Sequence, residues 1–172
     1  DGTGPLGAYG RSKRVGEQKI AAAGGAYAIL RTSWVVSSHG NNFVKTMLRL
    51  GGERDSLSIV ADQIGAPTMA RDIAAACVQM AQQLIGNPAK AGIYHFSGAP
   101  QTSWADFARE IFTQSDVTCA VTDIASADYP TPAARPLNSR MDCTQLETIF
   151  GIPQPDWRLG LRDILQDLGA GT

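Results

Sequence analysis

The sequence has 172 residues, 44% of them hydrophobic, enough to fill the core of one ordinary domain. Its 15 Lys and Arg residues are scattered and balanced by 16 Asp and Glu, so the net charge of −1 provides no field to hold a nucleic-acid backbone or an anionic membrane. Three widely spaced cysteines, Cys77, Cys119 and Cys143, form neither a disulfide framework nor, with His39 and His95, a metal-ligand cluster, so no metal is expected.

The chain opens on Asp1-Gly2-Thr3-Gly4-Pro5-Leu6-Gly7-Ala8, a turn-rich run that reads as the inside of a loop. Residues 9–23 have helix-forming composition, with Val15 and Ile20 as apolar anchors and Gly24-Gly25 as a stop. The apolar, β-branched residues 26–36 predict a buried strand, interrupted by Arg31-Thr32-Ser33. Phe43, Met47 and Leu50 recur at helical spacing over 42–50, and Gly51-Gly52 is expected to end that helix. A short strand follows at 57–60. The next helix, over 70–85, carries Ile73, Cys77, Met80, Ala81 and Leu84 as its apolar stripe, with Cys77 in the core.

Residues 92–96 predict a strand, within which His95 reads as a core residue rather than a base. Residues 103–112 predict a helix with Ser103 as N-cap, and 117–121 another strand. The run Tyr129-Pro130-Thr131-Pro132-Ala133-Ala134-Arg135-Pro136 has too many prolines for a helix or sheet interior and predicts an extended loop. Helices over 143–150 and 159–168 finish the chain. The alternation predicts an α/β fold with helix-covered strands. Free thiols, with no leader and no long apolar span, point to the cytoplasm.

The most informative short pattern is Tyr9-Gly10-Arg11-Ser12-Lys13. Residues four apart share a helical face, so phenol and ammonium can point into one site. An ammonium beside a phenol favours the phenolate, as a carbonyl reductase needs in an acid that protonates a developing alkoxide while hydride reaches carbon. Taken alone, the pair is equally a chance spacing on a surface helix.

Further blocks follow in order: Leu30-Arg31-Thr32-Ser33-Trp34-Val35, then Gly40-Asn41-Asn42-Phe43-Val44-Lys45-Thr46-Met47-Leu48, then Val60-Ala61-Asp62-Gln63-Ile64-Gly65-Ala66-Pro67-Thr68. After Gly92-Ile93-Tyr94-His95-Phe96 come the proline-rich run ending Arg135-Pro136-Leu137-Asn138-Ser139 and Pro155-Asp156-Trp157-Arg158-Leu159-Gly160-Leu161. In this order and spacing the set resembles the extended short-chain dehydrogenases, and among them the dTDP-4-dehydrorhamnose reductase family.

The resemblance implies the C-terminal part of a Rossmann-like short-chain dehydrogenase with a small α/β substrate-binding domain. Residues 1–36 would be a remnant of the Rossmann-like domain and 37–172 mostly the substrate-binding domain, with segments of about 57–96 returning to the Rossmann sheet. The implied reaction is reduction of the 4-keto group of dTDP-4-dehydro-L-rhamnose to dTDP-L-rhamnose by NADPH or NADH. Tyr9 would be the general acid and Lys13 its partner and ribose ligand. Arg31, Thr32 and Ser33 would lie near the nicotinamide, though a strand end with capped polar groups is an equal reading for each.

Trp34 is either a wall against the hexose or a core indole. Asn42 and Phe43 open a helix whose N-terminus suits a diphosphate. Gln63 has an amide to read a sugar or base edge, whereas Asp62 and Thr68 read as turn residues. Arg135 is the expected diphosphate ligand, a planar fork in a proline-flanked loop. The family's Gly-x-x-Gly-x-x-Gly cofactor turn is not found in this sequence. A segment without its dinucleotide-binding half is therefore expected. It should not turn over alone, and it should cover apolar surface with a partner or as a homodimer. Two alternatives stay open: a non-catalytic regulatory subunit of the same fold, and a reductase or epimerase for another nucleotide sugar.

Overall fold

The computed structural model describes residues 4–5, 7–129 and 135–171. The opening loop at 1–3 and most of the proline-rich loop, 130–134, therefore lie outside the described residues. In chain order the elements are α1 (Ala8–Ala23), β1 (Ala28–Thr32), β2 (Val35–Val36), α2 (Phe43–Glu53), β3 (Ser56–Val60), β4 (Ile64–Gly65), β5 (Thr68–Met69) and α3 (Ala70–Gly86). There follow β6 (Gly92–Phe96), β7 (Thr102–Ser103), α4 (Trp104–Thr113), β8 (Ala120–Ile124), α5 (Thr144–Phe150) and α6 (Trp157–Asp167). Short 3-10 turns stand at Pro88–Lys90 and Ser126–Asp128. The architecture is α/β.

Two parallel strand pairs organise the chain. β1 pairs with β6, Ala28 opposite Gly92 through Thr32 opposite Phe96. β3 pairs with β8, Ser56 opposite Ala120 through Val60 opposite Ile124. Each pair seats its own core. Tyr94, Phe96, Ala76, Met80, Leu146 and Phe150 surround the first, supplied by β6, α3 and α5. Met47, Leu57, Phe107, Ile111, Leu161 and Leu165 fill the second, which draws on α2, β3, α4 and α6. A fully buried side chain of this size contributes roughly 1.5–3 kcal/mol. Minor pairs, β2 with β5 in parallel and β4 with β7 antiparallel, stitch the middle of the chain together.

Several expectations change on this scaffold. Gly51-Gly52 does not end α2, which runs on to Glu53. Gly51 is instead a close-approach residue, because a Cβ there would lie 2.6 Å from Phe112 Cε1 and 2.7 Å from Val117 Cγ1. Cys77 is exposed, and Cys143 is the buried thiol. Small apolar residues cover both faces of α3, so its periodicity was ambiguous; the face that turns inward carries Ala76 and Met80. Thr68 is no turn residue but a wholly buried member of β5. The single strand expected over 26–36 is two, β1 and β2, parted at Ser33 and Trp34. β8 starts three residues later than expected, its register set by β3. Among the described residues no helix is long and apolar enough to cross a membrane.

Candidate active site

A cavity of about 1030 Å³ opens between α2, β3, the start of α4 and the segment after β8. Its size matches a site for a ligand well beyond a single sugar ring. Phe43, Trp104 and Tyr129 are its aromatic lining, Gln63 and Ser126 are among its polar groups, and Arg54 and Arg135 are its cations. Asn42 places Phe43 by capping α2. Its Oδ1 accepts from the Lys45 backbone N–H at 3.4 Å, while its Nδ2 donates to the Ser37 carbonyl at 2.7 Å.

The aromatic wall is two layers deep. Trp34 stacks on Trp104 with ring centroids 3.6 Å apart and planes 13° from parallel. Trp104 in turn meets Phe43 at 4.6 Å and 51°. Trp34 reaches this position with a φ of 48°, a left-handed conformation that costs a bulky residue roughly 1–3 kcal/mol. Its carbonyl accepts the Thr68 N–H at 3.1 Å, which ties the strained turn to β5. Gly65 leaves room for the indole, since a Cβ there would stand 2.7 Å from Trp34 Cε2.

A polar chain crosses the other side. Ser126 donates its hydroxyl to Asp62 Oδ1 at 2.6 Å and its N–H to both carboxylate oxygens at 3.0 Å. Gln63 Nε2 donates to the Ser126 hydroxyl oxygen at 2.9 Å. The Ser126 hydroxyl and backbone N–H hold the Asp62 carboxyl below its ordinary range.

Tyr9 and Lys13 do not line this cavity. They stand together on α1, with Lys13 Nζ 5.3 Å from the centroid of the Tyr9 ring, and Tyr9 is 77% exposed. No residue of α1 is buried. What fastens the helix to β1 is Arg31, whose Nε and Nη2 donate to Glu17 Oε1 and Oε2 at 2.7 and 2.5 Å. That bidentate pair lowers the Glu17 pKa and raises that of Arg31. The Arg31 guanidinium thus spends two of its donors inside the protein. Thr32 Oγ1 and Ser33 Oγ, at the end of β1, are buried with no hydrogen-bond partner among the described residues.

Residues 1–170 match the RmlD substrate binding domain. The chain belongs to that family. A dTDP-4-dehydrorhamnose reductase of Sinorhizobium fredii is 46% identical over 171 residues, which covers 96% of this chain and 58% of that protein. Among solved structures, the dTDP-4-dehydrorhamnose reductase of Bacillus anthracis in complex with NADP superposes with a TM-score of 0.86 at 37% identity, covering 97% of this chain and 58% of that one. The Clostridium acetobutylicum reductase superposes at 0.88 with 35% identity, covering 98% and 58%. The chain thus spans little more than half the length of the relatives it matches.

Within this RmlD-type domain, the structure gathers Phe43, Gln63 and Arg135 on one cavity, with Asn42 and Trp34 directly behind its wall. Trp104, Ser126, Arg54 and Tyr129 belong to the same lining and were not singled out from sequence. Trp104 carried a local signal, since it opens a helix beside the N-cap Ser103. Ser126 carried none: its partner Asp62 lies 64 residues away.

Proposed function

We propose that the protein to which this chain belongs reduces dTDP-4-dehydro-L-rhamnose to dTDP-L-rhamnose with NADPH or NADH. In this reading the chain supplies the substrate cavity and the proton donor. The observation that carries the reading is the make-up of the cavity, an aromatic wall facing Gln63 together with Arg54 and Arg135. Neither arginine takes part in an ion pair among the described residues. Rings suit a pyrimidine or hexose face, and unpaired guanidinium forks suit a diphosphate. The 46% identity to the Sinorhizobium fredii reductase supports a dTDP-linked 4-keto sugar as the occupant.

The chemistry assigned to this chain is a proton transfer. Tyr9 Oη gives its proton to the C4 carbonyl oxygen as hydride reaches C4, so the ketone becomes a secondary alcohol. Lys13, one helical turn along α1, stabilises the phenolate left behind and offers hydrogen bonds to ribose hydroxyls. A nicotinamide dinucleotide, when bound, would supply the hydride. The residues present fit it: Thr32 Oγ1 and Ser33 Oγ are buried hydroxyls with no partner among the described residues, suited to a carboxamide. Arg31, engaged by Glu17, acts here by holding α1 against β1. The β1–β6 pair and its shared core with α3 and α5 support reading 1–36 and part of 57–96 as Rossmann-like sheet. The remainder of 37–172 then forms the substrate-binding domain.

NADPH oxidation with dTDP-4-dehydro-L-rhamnose, measured on the whole protein, tests the reading. Tyr9→Phe is expected to lower kcat by about 10²-fold or more with little change in KM. An unchanged kcat contradicts the role of Tyr9. Equal turnover of a UDP-linked 4-keto sugar contradicts the substrate, and no oxidation with either favours a regulatory subunit.

A further inference from the structure

We infer that Asp62 and Ser126 are positioning residues that lock the Gln63 amide in one orientation. The cavity then selects a base whose ring N3 carries a proton, thymine or uracil, over cytosine, whose N3 is an acceptor. The inference rests on the reading of the cavity as a nucleotide-sugar site.

The register of the sheet brings the parts together. β3 and β8 run parallel and end with Val60 opposite Ile124. Two residues beyond each strand end stand Asp62 and Ser126, and the carboxylate takes both the N–H and the O–H of the serine. An ionised carboxylate accepts only, so the single hydroxyl proton of Ser126 is committed to Asp62. Ionisation at neutral pH agrees with the lowered pKa of this exposed carboxyl.

The Ser126 oxygen then has only lone pairs to offer. The Gln63 amide atom 2.9 Å from it must be the NH2 group, because a carbonyl there would face a second acceptor. The orientation of the amide thus follows from the chemistry of its partners. Oε1 remains as the end of Gln63 with no protein donor among the described residues, on a side chain that lines the cavity. A thymine or uracil imide N–H donates to that oxygen. Cytosine presents a lone pair at the same ring position, and two acceptors facing each other lose a hydrogen bond and repel.

Calorimetric titration of the chain with dTDP, UDP and dCDP tests this. The expected result is that dTDP and UDP bind about tenfold or more tighter than dCDP, the size of one misfaced hydrogen bond. Asp62→Ala removes the oxygen that accepts the Ser126 hydroxyl proton, so it releases that proton and lets Gln63 turn. Ser126→Ala removes the lock outright. Both variants are expected to bring the dTDP-to-dCDP ratio below about threefold, while Ser126→Thr, which keeps the hydroxyl, retains it.

A merely structural role for the pair would weaken all three nucleotides in parallel and leave the ratio intact; that result overturns the inference. So does a ratio near one in the unaltered chain. Binding of none of the three nucleotides overturns the nucleotide-site reading itself and the inference with it. That failure is distinct from binding without discrimination.

Discussion

Replacing Gly65 with alanine puts the aromatic wall under direct strain. A Cβ at this position would lie 2.7 Å from Trp34 Cε2 and 2.9 Å from Cζ2. Ordinary carbon contacts are about 3.5–4.0 Å, so the indole has to retreat by roughly 1 Å. It has little freedom to do so. Its backbone is held at a φ of 48°, and its ring is stacked 3.6 Å from Trp104. Overpacking of this kind costs about 1–3 kcal/mol. At about 2–4 °C per kcal/mol for a chain of this length, Tm should fall by about 2–12 °C. Because Trp104 and Phe43 line the cavity, affinity for dTDP should fall with it. Scanning calorimetry and a dTDP titration supply both readings. Gly52→Ala is the control: a Cβ there meets nothing within 4 Å, and alanine inside α2 is expected to leave Tm unchanged or raise it. If Gly65→Ala behaves like Gly52→Ala in both measurements, the strained, close-fitted wall is refuted.

Other predictions follow from single contacts. Glu17→Gln removes the carboxylate that clamps Arg31, and with no buried residue on α1 the helix amides should exchange with solvent about tenfold faster. The pair also has a pH signature. Arg31 holds Glu17 below its ordinary range, so its contribution is complete above the pKa of a free glutamate and fades as pH falls through the lowered value. Protection of α1 should therefore be flat from neutral pH down to about pH 5 and drop only in stronger acid. Thr68→Val swaps a wholly buried hydroxyl that has no partner among the described residues for a methyl group, and should raise stability by about 1 kcal/mol in urea denaturation; a clear loss would mean that the hydroxyl is satisfied after all. Phe107→Ala, at the meeting point of Phe43, Trp104 and Trp157, should cost about 3–5 kcal/mol in the same assay.

The features legible in the sequence were those with local signals. β6 spans the predicted residues 92–96, and Ser103 caps α4 by accepting from the Asp106 N–H, because a strand of alternating burial and a capped helix are written in neighbouring residues. Where apolar residues were too plentiful or too small, the reading slipped. α3 has alanines on every face, so the inward side was Ala76 rather than Cys77. Gly51 looked like a stop and proved to be a contact, since its neighbour Phe112 comes from a helix far along the chain.

The same division holds at the site. Phe43, Gln63 and Arg135 stand in ordered blocks, and the fold brings them onto one cavity. The Asp62–Ser126 contact depends on the β3–β8 register, which no local pattern reveals. The depth of the aromatic wall was equally hidden, because Trp34 meets Trp104 only through the turn at positive φ.

If the cavity between α2, β3 and the segment after β8 holds the nucleotide sugar, dTDP has to bind there. Amide and side-chain NMR spectra of the chain, recorded as dTDP is added, test it most directly. Saturable shifts concentrated at Phe43, Arg54, Gln63, Trp104 and Arg135 are expected. Shifts confined to the smaller cavity beside Gly98 and Arg140, or none at all, would contradict it.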